Sequence, residues 1–145
     1  MNQNTIIWFR RDLRLYDNAA LFHALKDSNQ VFPVFIFDIQ ILSKLKNKKD
    51  RRIEFILRSL AEIKKTLNEN GSDLIVEMGD PELLIPKLIT EYKCNSLYIN
   101  RDYEKYAQDR DQTISKILLN KKVTTFAFKD QVLFESDEVL TQSNN

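Results

Sequence analysis

The sequence predicts an α/β fold: a Rossmann-like, doubly wound, five-stranded parallel sheet with helices on both faces. Three observations carry that expectation. Short runs rich in β-branched and aromatic residues recur along the chain, separated by segments whose apolar residues follow a helical period. One run, Val31-Phe32-Pro33-Val34-Phe35-Ile36-Phe37, is almost unbroken in apolar character, as a strand covered on both faces requires. The helical segments also open on residues suited to capping. Alternation of this kind closes into a parallel sheet through right-handed crossovers.

The first strand is Thr5–Phe9, and Asp17 and Asn18 then offer side-chain caps to a helix over Ala19–Lys26. The second strand is Val31–Phe37. Its Pro33 has no amide donor and belongs at the strand start or at a bulge. A long helix over Arg51–Asn70 carries one stripe of Ile53, Ile56, Leu57, Leu60, Ile63 and Leu67, with Gly71 as its terminator. The third strand covers Asp73–Met78. Asp80 and Pro81 open the next helix, which buries Leu84, Ile85, Leu88 and Ile89. Pro86 cannot donate to the preceding turn and should bend that helix or tighten its first turn. A fourth strand, Ser96–Asn100, leads to a helix over Glu104–Leu119 that buries Ala107, Ile114, Ile117 and Leu118. Lys122–Phe128 is the fifth strand, and the polar end from Thr141 to Asn145 is expected to fray.

At 145 residues, 43% hydrophobic and 30% charged, the chain has the size and composition of one globular domain. A net charge of +1 supplies no global field for nucleic acid, so any such contact must be local. Cys94 is the sole cysteine, which excludes an internal disulfide and a Cys-rich zinc site and fits a reducing, cytoplasmic setting. The opening Met-Asn-Gln-Asn-Thr does not read as a signal peptide, and no apolar run is long enough to span a membrane.

The chemistry gathers at the loops that follow the strands. Trp8-Phe9-Arg10-Arg11-Asp12-Leu13-Arg14 leads from the first strand towards Asp17-Asn18, placing three arginines and an aspartate at the carboxyl edge of the sheet. No glycine stands there to let a backbone approach a pyrophosphate, so a conventional NAD, FAD or ATP site is disfavoured. His23, the lone histidine, reads as a packed or surface residue and not as part of a triad. Lys44 to Arg52 is the most basic stretch and reads first as a solvated loop, with Arg51 the candidate for an anion contact. Asn100, Asp102, Tyr103 and Glu104 leave the fourth strand at the same edge. Arg10, Asp38, Asn100 and Asp102 are therefore expected around one crevice suited to a flat aromatic ligand.

The Trp8–Asn18 string resembles the amino-terminal signature of the DNA photolyase and cryptochrome family. The resemblance extends through Pro33–Asp38, Gly79-Asp80-Pro81, Asn100–Glu104 with Arg110-Asp111, and Lys129–Phe134. It implies a photolyase-type antenna domain over 1–135, followed over 136–145 by the start of an interdomain connection. The FAD-binding helical domain of such proteins is not within these residues. The resemblance further implies a light-harvesting role, with excitation passed to FAD in a parent deoxyribodipyrimidine photo-lyase. That parent, a carbon–carbon lyase, would split cyclobutane pyrimidine dimers by electron transfer from reduced FAD. The 145 residues alone are expected to catalyse nothing. Their partners would be the missing FAD-binding domain and, only through it, damaged DNA; no membrane is implied.

Tyr106 and Ala107 stand where folate-binding relatives carry an Asn-Glu pair, whereas Asp102 matches a carboxylate of relatives that bind a deazaflavin or FMN. A deazaflavin or FMN antenna is thus favoured over methenyltetrahydrofolate. Arg51 and Asp102 are its expected polar contacts, with Phe9, Arg10, Phe37, Asp38 and Leu42 lining the pocket. Asp12 and Arg14 are expected to form an internal ion pair or to contact the missing domain. The alternatives are a cryptochrome-type blue-light receptor domain and a stand-alone module of the universal-stress type.

Overall fold

The computed structural model describes residues 3–46 and 49–130. Five strands, β1 (Asn4–Phe9), β2 (Gln30–Asp38), β3 (Ile75–Gly79), β4 (Ser96–Asn100) and β5 (Thr124–Phe128), form one parallel sheet in the order β3-β2-β1-β4-β5. The chain winds outward from β1 to β3, then crosses back to place β4 on the other flank of β1. The winding therefore reverses between β1 and β4, where sheets of this type leave a crevice beyond the strand ends.

Side-chain alternation along the strands divides the core in two. Ile6, Trp8, Val34, Ile36, Leu97 and Ile99 pack on one face against Ile85, Leu88 and Ile89 of α4 (Pro81–Glu91) and Ile114 and Leu118 of α5 (Lys105–Asn120). Ile7, Phe9, Phe35 and Tyr98 pack on the other against Ala20, Leu21 and Ala24 of α1 (Ala19–Asp27) and Leu60 and Ile63 of α3 (Arg51–Glu69). Each large aliphatic side chain removed from water contributes roughly 1.5–3 kcal/mol. The doubly wound arrangement lets both faces of the sheet supply it.

The helix starts follow from short polar side chains. Asn18, Asp50 and Asp80 cap α1, α3 and α4 by accepting from Leu21, Arg52 and Glu82 amides. Asp38, the last residue of β2, does the same for the short α2 (Ile39–Leu42). Gly71, at φ +76°, follows the C-cap of α3 in a conformation that costs other residues more.

Four expectations are revised. Pro33 is neither first in β2 nor at a bulge: it pairs with Ile7 one residue before β3 joins at Val34, so one flank of the strand carries no ladder there. Leu57 is 53% exposed, leaving a narrower stripe of Ile53, Ile56, Leu60, Ile63 and Leu67 on α3. In α5 the buried face includes Arg110, while Ile117 is only half-buried. The third and fifth strands each begin two residues later than expected, at Ile75 and Thr124. The fraying tail and the segment 136–145 lie outside the described residues.

Candidate functional site at the carboxyl edge of the sheet

The turn leaving β1 is fastened across the reversal point by one amide side chain. Asn100, at the end of β4, donates through Nδ2 to Asp12 Oδ2 at 2.6 Å and Asn18 Oδ1 at 2.9 Å. Its Oδ1 accepts from the Ala20 amide at 2.9 Å. Asp12 also accepts from the Arg10 amide at 2.8 Å. All three side chains are buried, and the mutual bonds offset their desolvation.

A second network occupies the α4/α5 face. Arg110 of α5 donates through Nη1 to Asp38 Oδ2 at 3.1 Å, and the Tyr106 hydroxyl, one turn earlier, donates to the same oxygen at 2.8 Å. Asp38 Oδ1 accepts from the Gln40 amide. Arg10 pairs with Asp111 at 2.5 Å and donates to the Asn100 carbonyl. The guanidinium carbons of Arg10 and Arg110 each lie 4.8 Å from the Trp8 ring centroid. Two arginines and two aspartates thus balance in charge around one indole, which limits the cost of burying them. Burial, followed by the bond to Asp38 and its negative charge, pushes the Tyr106 hydroxyl up to about 12. The Trp8 Nε1–H, in contrast, has no acceptor among the described residues.

The structure does not gather the expected pocket residues in one place. Arg10 and Asp38 meet in one network through Arg110, Asp111 and Trp8. Phe9 and Phe37 belong to the opposite half-core, because strand periodicity turns them to the α1/α3 face. Asp102 faces neither group: it lies 3.6 Å from Arg11 Nε and accepts from the Glu104 amide. Arg11 pairs with Glu104 at 2.5 Å, and that bond leads the causes that raise its pKa. Leu42 is half-buried at the end of α2, and Arg51 is an exposed residue opening α3.

Asp12 and Arg14 do not pair. The Arg14 guanidinium reaches Asp130 and the Asp17 carbonyl, both at 2.7 Å, while Asp130 also accepts from the Ala19 amide. His23 stacks on Phe128 with ring centroids 4.3 Å apart, a packing role. Sequence reasoning missed Tyr106 and Arg110 as the inner wall of the edge. A signal was present: Arg110 falls in register with Ala107, Ile114 and Leu118 on the apolar stripe of α5, a position an arginine occupies only with buried partners.

Among the described residues there is no cluster of His, Cys, Asp and Glu able to hold a metal, and no helix long and apolar enough to cross a membrane. A parallel α/β unit with a reversal between β1 and β4 has the architecture in which ligands bind beyond the strand ends. The family model for DNA photolyase matches residues 5–145, and the chain belongs to that family. It is 34% identical over 140 residues to a deoxyribodipyrimidine photo-lyase of Synechococcus, covering 97% of this chain and 29% of that protein. A class III photolyase from Agrobacterium tumefaciens superposes with a TM-score of 0.86 at 29% identity, over 99% of this chain and 29% of that one. An archaeal photolyase from Sulfolobus tokodaii, described with two FAD molecules and the implication of a novel light-harvesting cofactor, superposes at 0.82 with 32% identity, covering 96% of this chain and 32% of that one. Cryptochromes are also among the relatives. The chain therefore spans about a third of the length of each of these photolyases.

Proposed function

We propose that this chain is the light-harvesting domain of a photolyase and holds an antenna pigment at the carboxyl edge of its sheet. The observation that carries the reading is uncovered apolar surface beside a buried polar wall. Ile39 and Ile41, in the α2 turn that follows Asp38, are 46% and 45% exposed. A flat ring system laid there would cover them and meet the edge of the Tyr106–Asp38–Arg110 wall. Leu42 supplies further apolar surface, Phe37 packs on the other face, and Arg51 supplies charge for an anionic tail. Arg10 acts from behind the wall through Asp111, whereas Phe9 packs on the other face of the sheet and Asp102 is engaged by Arg11.

A deazaflavin or FMN suits this edge better than methenyltetrahydrofolate, because Tyr106 and buried Ala107 offer no carboxylate to a pterin. The light-harvesting cofactor described for the Sulfolobus tokodaii photolyase supports an antenna role. When bound, the pigment supplies absorption of blue or near-ultraviolet light; the residues of this chain orient it and exclude water from one side. In a full-length parent, excitation would pass to FAD in a further domain that contacts damaged DNA and splits pyrimidine dimers.

Titrating the purified chain with FMN and with a deazaflavin, and following retention of pigment on gel filtration, tests the antenna reading. Saturable retention weakened by Arg51→Ala or Ile41→Glu is expected; no retention of either pigment overturns it. The cryptochrome relatives favour a second reading, a blue-light receptor domain. Light-dependent repair of damaged DNA by a full-length parent would exclude that reading, and a flavin-loaded parent that repairs no damaged DNA would favour it.

A further inference from the structure

We propose that β5 is a self-pairing edge, through which two copies of this chain join antiparallel into one continuous sheet. The strand order leaves β3 and β5 at the margins, and a marginal strand offers a row of unpaired amides and carbonyls. The bonds to β4 fix which groups of β5 point inward. The Thr124 amide donates to the Asn95 carbonyl, and the Phe128 carbonyl accepts from the Arg101 amide. Thr124, Phe126 and Phe128 therefore turn their backbone groups to β4, and Thr125 and Ala127 turn theirs outward. Among the described residues nothing meets those outward groups.

An antiparallel pair that sets Thr125 of each copy opposite Ala127 of the other satisfies every one of them, each opposed pair exchanging both N–H···O bonds. The two-fold axis then passes between the two Phe126 residues, at a non-hydrogen-bonded position where side chains approach most closely. The side chains suit this register. β5 reads Thr-Thr-Phe-Ala-Phe, with no charge or proline to blunt the edge. Phe126 is 40% exposed and packs on Tyr98 with ring centroids 4.8 Å apart, so pairing extends one aromatic row across both copies. Phe22 of α1, 62% exposed, borders the same face: it meets His23 edge-on, and His23 stacks on Phe128. Charge is matched as well. Continued past the strand ends, the register brings Lys122 of each copy towards Asp130 of the other and sets no two like charges directly opposite. The other margin fails this test, because self-pairing of β3 about its centre would oppose Glu77 to Glu77.

Pigment binding at the carboxyl edge plays no part in this junction, and sedimentation velocity of the 145-residue chain across a concentration series reads it directly. A monomer–dimer equilibrium is expected; a monomer at every concentration overturns the proposal. Ala127→Pro removes an outward amide that β4 does not use, so the monomer should fold as before while dimerisation weakens about tenfold or more. A dimer undiminished in that variant would lie on another surface and would refute the junction. If Ala127→Pro fails to fold, Phe126→Lys, which opposes like charges at a partly exposed position, serves in its place with the same two outcomes. Cross-linking in a Cys94→Ala background reads the register. Phe126→Cys would lie about 4.5 Å from its counterpart between Cα atoms, within disulfide range, and should oxidise to a covalent dimer. Thr124→Cys stands opposite Phe128 of the other copy and should stay reduced. Cross-linking through Thr124→Cys and not through Phe126→Cys would overturn the register and the proposal with it.

Discussion

Arg110 and Asp38 form an ion pair sealed from solvent, with side chains 4% and 3% exposed and Nη1 3.1 Å from Oδ2. The pair joins the middle of α5 to the end of β2, so the wall of the carboxyl edge exists only once the two halves of the sheet have assembled. Removing either partner leaves the other charged and buried.

Arg110→Met should therefore destabilise the fold by about 3–5 kcal/mol, the range for uncompensated buried charges. Arg110→Lys should recover only part of this. One ammonium cannot reproduce the planar stack on Trp8 while reaching both Asp38 and Asp111. Urea unfolding followed by the emission of Trp8, the single tryptophan, measures both changes.

Asn100 should matter more for stability than its size suggests. Asn100→Ala strands the Ala20 amide and removes donors from Asp12 and Asn18, at a cost of about 2–3 kcal/mol. Asn100→Asp keeps the shape but sets a second carboxylate where a donor stood 2.6 Å from Asp12. Its melting temperature should fall at pH 7 and recover in part near pH 4, as one of the two carboxylates takes up a proton.

Alkaline conditions should loosen the domain through two groups. Burial pushes the Cys94 thiol up to about 12, and Tyr106 reaches about 12 through burial and Asp38, from ordinary values of 9.0 and 10.0. Both stay protonated in the folded chain after they would have ionised in the unfolded one. Stability is therefore retained below pH 9 and declines as the pH rises towards 12. A melting series across that range should show the decline, shallower in Tyr106→Phe, and a flat profile would contradict it.

The same burial should make Cys94 a reporter of opening. It is 6% exposed in the α4/α5 half-core, so alkylation by iodoacetamide should follow global unfolding and not local fluctuation. Labelling rates that match unfolding rates across a urea series would bear this out; fast labelling in water would contradict it.

The strands were legible because both faces of the sheet are covered: runs such as Val31–Phe37 leave little room for another reading. Caps at Asp80 and Asn18 were legible because their bonds span only a few residues. The site was less so. Proximity at the carboxyl edge grouped Arg10, Asp38 and Asp102, but the side-chain partners depend on which face each strand end presents. Arg10 and Asp38 are joined only through α5, from residues about 70 to 100 positions further along the chain, and Asp102 is drawn aside by Arg11. Leu57 was misplaced because an apolar residue beside a stripe has the same period within one turn whether or not a neighbour covers it.

The strand order carries a consequence for biosynthesis. β1 pairs with β2 on one side and with β4 on the other, through Thr5↔Ser96, Ile6↔Leu97 and Ile7↔Tyr98. At roughly 5–20 residues per second, the ribosome releases β4 some seconds after β2. Throughout that interval β1, buried from Thr5 to Phe9 in the finished fold, has one open flank, so premature arrest between residues 38 and 96 should yield a species that chaperones capture.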